Sequence, residues 1–203
     1  MQRDMENNHT IYTIARRRST RLFNDKEVSK KDILMVLEAA NQAPSAHNRQ
    51  PWRFSVVGET LKNDLASLAN TLAVKFPKPY STLLRLASRS VSSAPVVVIV
   101  TNTGDLVQHG SELFEADGQH AAFFRTMEVQ SSAAAVQNLL LATTSLGLSC
   151  VWLGIFCLIK EDVLSLLNMR DADFMAVIPL GYSTRQSSSP RKKSLDATVT
   201  YFE

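Results

Sequence analysis

The sequence predicts an α+β fold, a central mixed sheet flanked by helices, on three observations. Pro95-Val-Val-Val-Ile-Val100 is β-branched and apolar throughout, the pattern of a strand buried on both faces. Residues 129–146 carry no charge and keep helical spacing through Val129, Ala133, Val136, Leu140 and Thr143, so this helix is buried nearly all round. Around these, amphipathic helices and short strands suffice to cover one sheet.

Taken in order, a short helix over 10–17 opens the chain. Ser29-Lys-Lys-Asp32 resembles a capping box, with Asp in the usual Glu position. Ile33, Leu34, Val36, Leu37 and Ala40 follow at helical spacing and stop at Ala43-Pro44. Residues 54–57 read as a strand closed by Gly58. Leu61, Leu65, Leu68, Leu72 and Phe76 mark a helix over 60–76, broken by Pro77 and Pro79. A helix over 80–91 precedes the 95–100 strand. The polar stretch 102–118 has no clear period and reads as a long loop of the kind that covers a site. Gly147 caps the charge-free helix. Strands at 150–153 and 175–180 flank a short helix near 160–168, residues 183–193 form a Ser-rich loop, and 198–202 alternate like an edge strand.

The 203 residues suit one domain with a sizeable core. Apolar residues make up 45%, charged residues 20%, and the net charge is +3, too small to imply nucleic acid by itself. Cys150 and Cys157 lie in apolar sequence without redox or zinc spacing, so both are expected to be buried, reduced thiols of a cytoplasmic protein. The polar start has no apolar core for a signal peptide, and no apolar run is long enough for a membrane span. The four histidines show no metal spacing. There is also no GxGxxG, P-loop or GxSxG, which argues against a dedicated dinucleotide domain.

Four segments carry candidate chemistry. Arg17-Arg18-Ser19-Thr20-Arg21 places three guanidiniums and two hydroxyls after a helix, a set suited to phosphate; taken alone it is a solvated basic turn. Residues 43–52 (APSAHNRQPW) form a stiff loop rich in amides and hydroxyls, fit to hydrogen-bond a planar polar ring or simply to cap nearby backbone. Cys150-Val-Trp-Leu-Gly154 is a strand ending in glycine, where backbone can approach a ligand or merely turn. Pro190-Arg191-Lys192-Lys193 is a second basic cluster.

Together, RRSTRLF, APSAHNRQPWRF, VQNLLLATTSLGLSCVWLG and VIPLGY followed by PRKK resemble the nitroreductase family of FMN-dependent oxidoreductases over almost the whole chain. The resemblance implies a homodimer with FMN at the subunit interface and the C-terminal strand exchanged between subunits. It implies that Arg17, Arg18, Ser19 and Arg21 hold the FMN phosphate and ribityl chain, with Arg191 and Lys192 closing on the phosphate. Pro44, Ser45, Ala46 and Asn48 would reach the flavin from the partner subunit, with Gln50 a further candidate. Leu153 and Gly154 would present a backbone N–H to the ring. Many relatives carry an acidic residue where Leu153 stands. The HNRQPWRF wording is also similar to the reductase-like domain of deazaflavin-cofactor biosynthesis enzymes.

The implied reaction is ping-pong transfer of hydride from NAD(P)H to a small acceptor: a nitroaromatic, quinone, enone or second flavin. The acceptor is expected to be read by residues 102–118, and Phe123 and Phe124 are candidates for its lining. Two rivals are a same-fold enzyme that reduces a deazaflavin precursor or modifies its flavin, and a basic nucleic-acid-binding module. The latter is disfavoured because aromatics do not interleave with the basic residues.

Overall fold

A computed structural model describes residues 8–114, 118–185 and 190–202, with side chains 113–120 left aside. Its helices are α1 (His9–Arg16), α2 (Lys30–Asn41), α3 (Glu59–Leu72), α4 (Tyr80–Ser93), α5 (Asp105–Phe114), α6 (Gly118–Ser145) and α7 (Lys160–Leu166). The strands are β1 (Trp52–Val57), β2 (Val96–Asn102), β3 (Ser149–Cys150) and β4 (Asp173–Gly181), in the spatial order β1-β2-β4-β3.

All three ladders are antiparallel. Among the described residues, parallel pairing is confined to an isolated bridge between Ser19 and Cys150, so the sheet is mixed only there. Strand β2 is central and buried at every position, with Val57 opposite Val97 on one side and Leu180 opposite Val96 on the other. Its side chains alternate between two cores. Val97 and Ile99 join Leu65, Leu84 and Phe156 under α3 and α4, while Val96, Val98 and Val100 join Val36, Val136 and Leu139 under α2 and α6. Each fully buried aliphatic side chain contributes roughly 1.5–3 kcal/mol.

The Ser29 hydroxyl accepts from the Asp32 N–H at 3.0 Å, as the capping signal predicts. The Asp32 carboxylate accepts from that hydroxyl at 2.7 Å instead of reaching the backbone. At the end of α6, Gly147 takes φ +74°, and the Leu148 N–H donates back to the Thr143 carbonyl at 3.0 Å.

Four expectations need correction. Residues 102–118 are not one loop: α5 forms because Thr103 accepts from the Asp105 N–H and a remote carboxylate, Glu128, accepts from the Leu106 N–H. Helix α6 begins eleven residues before Val129, at Gly118, and includes the buried Glu128. Residues 198–202 form no strand; a 3-10 turn (Leu195–Ala197) precedes them, and Tyr201 and Phe202 are 88% and 94% exposed. The β3 edge they might join is taken by the segment at Ser19 and Thr20. Finally, Cys157 is exposed, because it lies in a 3-10 turn (Gly154–Ile159) whose inward positions belong to Phe156 and Ile159. No described helix is long and apolar enough to cross a membrane.

Candidate functional site

Arg17 ends α1, and its backbone turns extended (φ −53°, ψ 130°). The chain then runs along β3: Ser19 bridges Cys150, and the Thr20 N–H donates to the Cys150 carbonyl at 3.0 Å. This pairing carries Arg21 to the Leu153–Gly154 turn. Arg21, Trp152, Leu153 and Gly154 line a recess of about 150 Å³ with Leu83 and Leu86 of α4 as its apolar wall. A Cβ at Gly154 would meet only the Trp152 indole nitrogen, at 4.0 Å, so the space over that glycine is open.

The turn does not offer both of its amides. The Leu153 N–H donates to the Val177 carbonyl at 2.9 Å. Gly154 opens the 3-10 turn, where the first N–H groups have no partner within the turn, so Gly154 is the better donor toward a ligand.

Arg18 behaves differently from Arg21. Its guanidinium donates to the carbonyls of Ala15 (2.6 Å) and Arg17 (2.8 Å), satisfying the end of α1. With Thr20 it lines a larger cleft of about 810 Å³, between α1 and the end of α6, to which Arg16, Arg185, His9 and Thr144 also contribute. This larger cleft therefore excludes Arg21, Leu153 and Gly154. Arg191 and Lys192 are exposed in a segment without regular structure.

The second constellation lies elsewhere. Pro44 and Asn48 are exposed and Ser45, Ala46 and Gln50 half-buried, around a 3-10 turn (Ala46–Asn48). His47, Asn48 and Gln50 take φ of 51°, 53° and 49°, a left-handed conformation that costs energy without glycine and persists where surroundings enforce it. The enforcing contacts are local and remote. The Gln50 N–H donates to Ser45 Oγ at 3.0 Å, Gln50 Nε2 donates to Asn48 Oδ1 at 3.2 Å, and the Ala46 N–H donates to Ser131 Oγ of α6 at 3.1 Å. Ser131, which anchors this loop, and Thr144, which lines the cleft, lie about 20 Å apart along α6 at 1.5 Å rise per residue. Neither Ser131 nor Glu128 was signalled by sequence, since each acts on backbone far away in the chain.

Burial sets the titration of two nearby groups. Loss of hydration pushes the Cys150 thiol up to about 12, so it stays protonated and inert. Burial likewise raises the Glu128 carboxyl, offset in part by the Leu106 N–H. Phe124 is buried against Gly110 and is core, whereas Phe123 is exposed. Among the described residues no cluster of three or more His, Cys, Asp or Glu could hold a metal.

This α+β architecture has solved counterparts. The structure superposes on a nitroreductase with bound FMN from Desulfitobacterium hafniense at TM-score 0.74 and 24% identity, covering 97% of this chain and 99% of that one. It matches NADPH:FMN oxidoreductase from Vibrio harveyi, complexed with NAD+, at TM-score 0.78 and 20% identity, covering 97% and 78%. In sequence it is 34% identical over 146 residues to an Archaeoglobus fulgidus protein provisionally named NADH dehydrogenase/NAD(P)H nitroreductase, spanning 72% of this chain and 66% of that protein. The nitroreductase family model matches residues 14–182. The chain belongs to the nitroreductase family.

Proposed function

We propose that the chain is an FMN-dependent oxidoreductase that passes hydride from NAD(P)H to a small acceptor, working as a homodimer with FMN between the subunits. The observation that carries this reading is Arg21 held beside the open Leu153–Gly154 turn by the pairing of Ser19 and Thr20 with β3.

The donor set fits the group. Arg17, Ser19 and Arg21 would hold the phosphate and ribityl chain with charge-assisted bonds, and Arg191 and Lys192 would close on the phosphate from the following segment. Arg18 would contribute charge more than contact, since its guanidinium already serves the end of α1. Gly154 would give the ring a backbone N–H, and Leu83 and Leu86 an apolar wall that sheds water. FMN, when bound, supplies reversible acceptance and donation of hydride. Guanidinium charge fixed beside the turn favours an electron-rich bound group.

A second copy would complete the site. The recess of about 150 Å³ is below the roughly 300–1,000 Å³ of usual ligand pockets. The strained loop bearing Pro44, Ser45, Ala46, Asn48 and Gln50 is anchored on another stretch of α6, so it would serve the flavin of a second subunit. Exposed Ile11, Ile14, Val129, Tyr201 and Phe202 are apolar surface that such a subunit, with exchanged C-terminal segments, would cover. Because the recess opens outward, donor and acceptor would occupy it in turn, and a nitroaromatic, quinone, enone or flavin would fit this scheme.

The test is the visible spectrum of freshly purified protein, with the released ligand identified by mass and turnover assayed with NADPH and a quinone. Yellow protein carrying about one FMN per subunit, with turnover, is expected. A colourless protein that takes up no added FMN would overturn the reading, and bound FMN without nicotinamide turnover would favour a flavin-modifying or deazaflavin-reducing enzyme.

A further inference from the structure

One turn of α6 gathers three polar anchors. The Glu128 carboxylate, 1% exposed, accepts from the Leu106 N–H at 2.8 Å, in the first turn of α5. Ser131 Oγ accepts from the Ala46 N–H of the strained loop and donates to the Met127 carbonyl at 2.7 Å. The Ser132 hydroxyl donates to the Asn102 side-chain oxygen at the end of β2. Between these points the Thr103 N–H donates to the Pro51 carbonyl at 2.8 Å, and Gly104 takes φ +80° where the chain swings into α5.

The chemistry of this turn exceeds what packing needs. The opening N–H groups of a helix lack intrahelical partners and carry partial positive charge, which a carboxylate satisfies. Water would do so on an exposed helix, and burying a carboxylate there is costly in hydration. An apolar side chain would hold α5 to α6 more cheaply but without fixing where α5 starts. Among the described residues, no cation is seen to offset the burial. Asp105 of α5 and Asp173 of β4 both disfavour the ionised form, and Arg125 of α6 is paired to Asp173 at 2.9 Å. Thr101 Oγ1 and Asn102 Nδ2, buried beneath the same junction, have no hydrogen-bond partner among the described residues. A polar junction kept at such cost specifies a position.

We propose that Glu128 is a positioning residue for the acceptor side of the site: it sets the start of α5, while Ser131 separately sets the flavin-contacting loop. The inference rests on the FMN reading, with α5 and the loop both facing the flavin of a second subunit. Two neighbouring anchors on one rigid helix then hold acceptor selection and flavin contact in fixed relation, yet each can be altered alone.

The experiment compares Glu128→Ala, Glu128→Gln and Ser131→Ala with the unmodified holoenzyme in amide hydrogen exchange, acceptor KM and kcat, and FMN titration. Loss of a charge-assisted bond to buried backbone predicts exchange over residues 105–112 faster by roughly tenfold in Glu128→Ala. Acceptor KM rises several-fold in that variant with FMN affinity held within about twofold, whereas Ser131→Ala weakens FMN and spares α5. Glu128→Gln rescues, because its amide oxygen still accepts from Leu106. Unchanged exchange and KM in Glu128→Ala, or FMN affinity falling in step with α5 exchange, overturns the inference. Exchange reports on Glu128 with or without flavin, while failure of the FMN reading shows separately, as a colourless unmodified protein.

Discussion

The Trp52 indole N–H donates to Asn41 Oδ1 at 2.9 Å, joining the first residue of β1 to the last residue of α2 across the loop between them. The ring is 3% exposed, so one end of the left-handed loop is pinned by both packing and a hydrogen bond. Trp52→Phe keeps most of the packing and removes the bond. It is expected to cost about 1–2 kcal/mol in urea unfolding and to weaken FMN several-fold by loosening residues 44–50. FMN affinity unchanged beside that loss of stability would detach the tie from the site.

Gly110 and Phe124 make a tighter contact: a Cβ on Gly110 would lie within 2.1 Å of the Phe124 ring. The ring is buried and cannot swing to solvent without exposing itself. Gly110→Ala is therefore expected to push α5 off α6 and to lower stability by roughly 1–3 kcal/mol, despite the better helix propensity of alanine. A thermal melt of the variant reads this directly. A raised Tm would show that α5 shifts freely.

The elements whose cause is local were legible in the sequence. Ser29 and Asp32 announced α2, the valine run announced β2, and Gly147 announced the end of α6. The basic turn and the NRQPW loop marked the candidate site, and the structure pairs the former with the glycine turn. What stayed hidden depends on partners distant in the chain. Helix α5 is held by Glu128, twenty-two residues later, so its polar sequence read as loop. The tail at 198–202 alternates like a strand, but the β3 edge is already taken by Ser19 and Thr20. The bonds of the Leu153 N–H to Val177 and of Arg18 Nη1 to the end of α1 also lay outside what the sequence signals.

The two cysteines differ in access and so in chemistry. Burial holds the Cys150 thiol at about 12, and its Sγ faces the Leu140 carbonyl inside the core. Cys157 is exposed, with its thiol also raised by partial loss of hydration, which slows it without hiding it. Iodoacetamide under native conditions is expected to label Cys157 slowly and Cys150 only after unfolding. Peptide mass mapping checks it, and native labelling of Cys150 would mean that the β3 edge opens.

Burial of Glu128 also makes stability depend on pH. Its carboxyl binds the proton more tightly folded than unfolded, so its contribution is fully present below the unfolded carboxylate value and is lost as pH rises through the higher folded one. Glu128→Gln removes this titration. The stability difference between variant and unmodified protein should therefore shift in favour of the variant as pH rises from about 4 to 7. Urea unfolding across that range tests the sign, and a constant difference would mean that Glu128 is not buried as a carboxyl group.

Arg18 and Arg21 stand three residues apart with opposite assignments, and this gives the sharpest test of the phosphate turn. Arg21 lines the recess with Leu153 and Gly154, and its charge is available to a ligand. Arg18 is bonded to the carbonyls of Ala15 and Arg17, so its removal should unsettle the end of α1 first. Arg21→Ala is expected to weaken FMN by tenfold or more, the scale of one charge-assisted phosphate bond at about 1.5–3 kcal/mol, with little change in Tm. Arg18→Ala should lower Tm by a few degrees for a loss of about 1 kcal/mol, and cost FMN affinity much less. Fluorescence titration of FMN with melts of both variants separates the two roles. If Arg18→Ala loses more FMN affinity than Arg21→Ala, the phosphate sits in the larger cleft beside Arg16 and Arg185, and the recess at Gly154 is not where the cofactor is anchored.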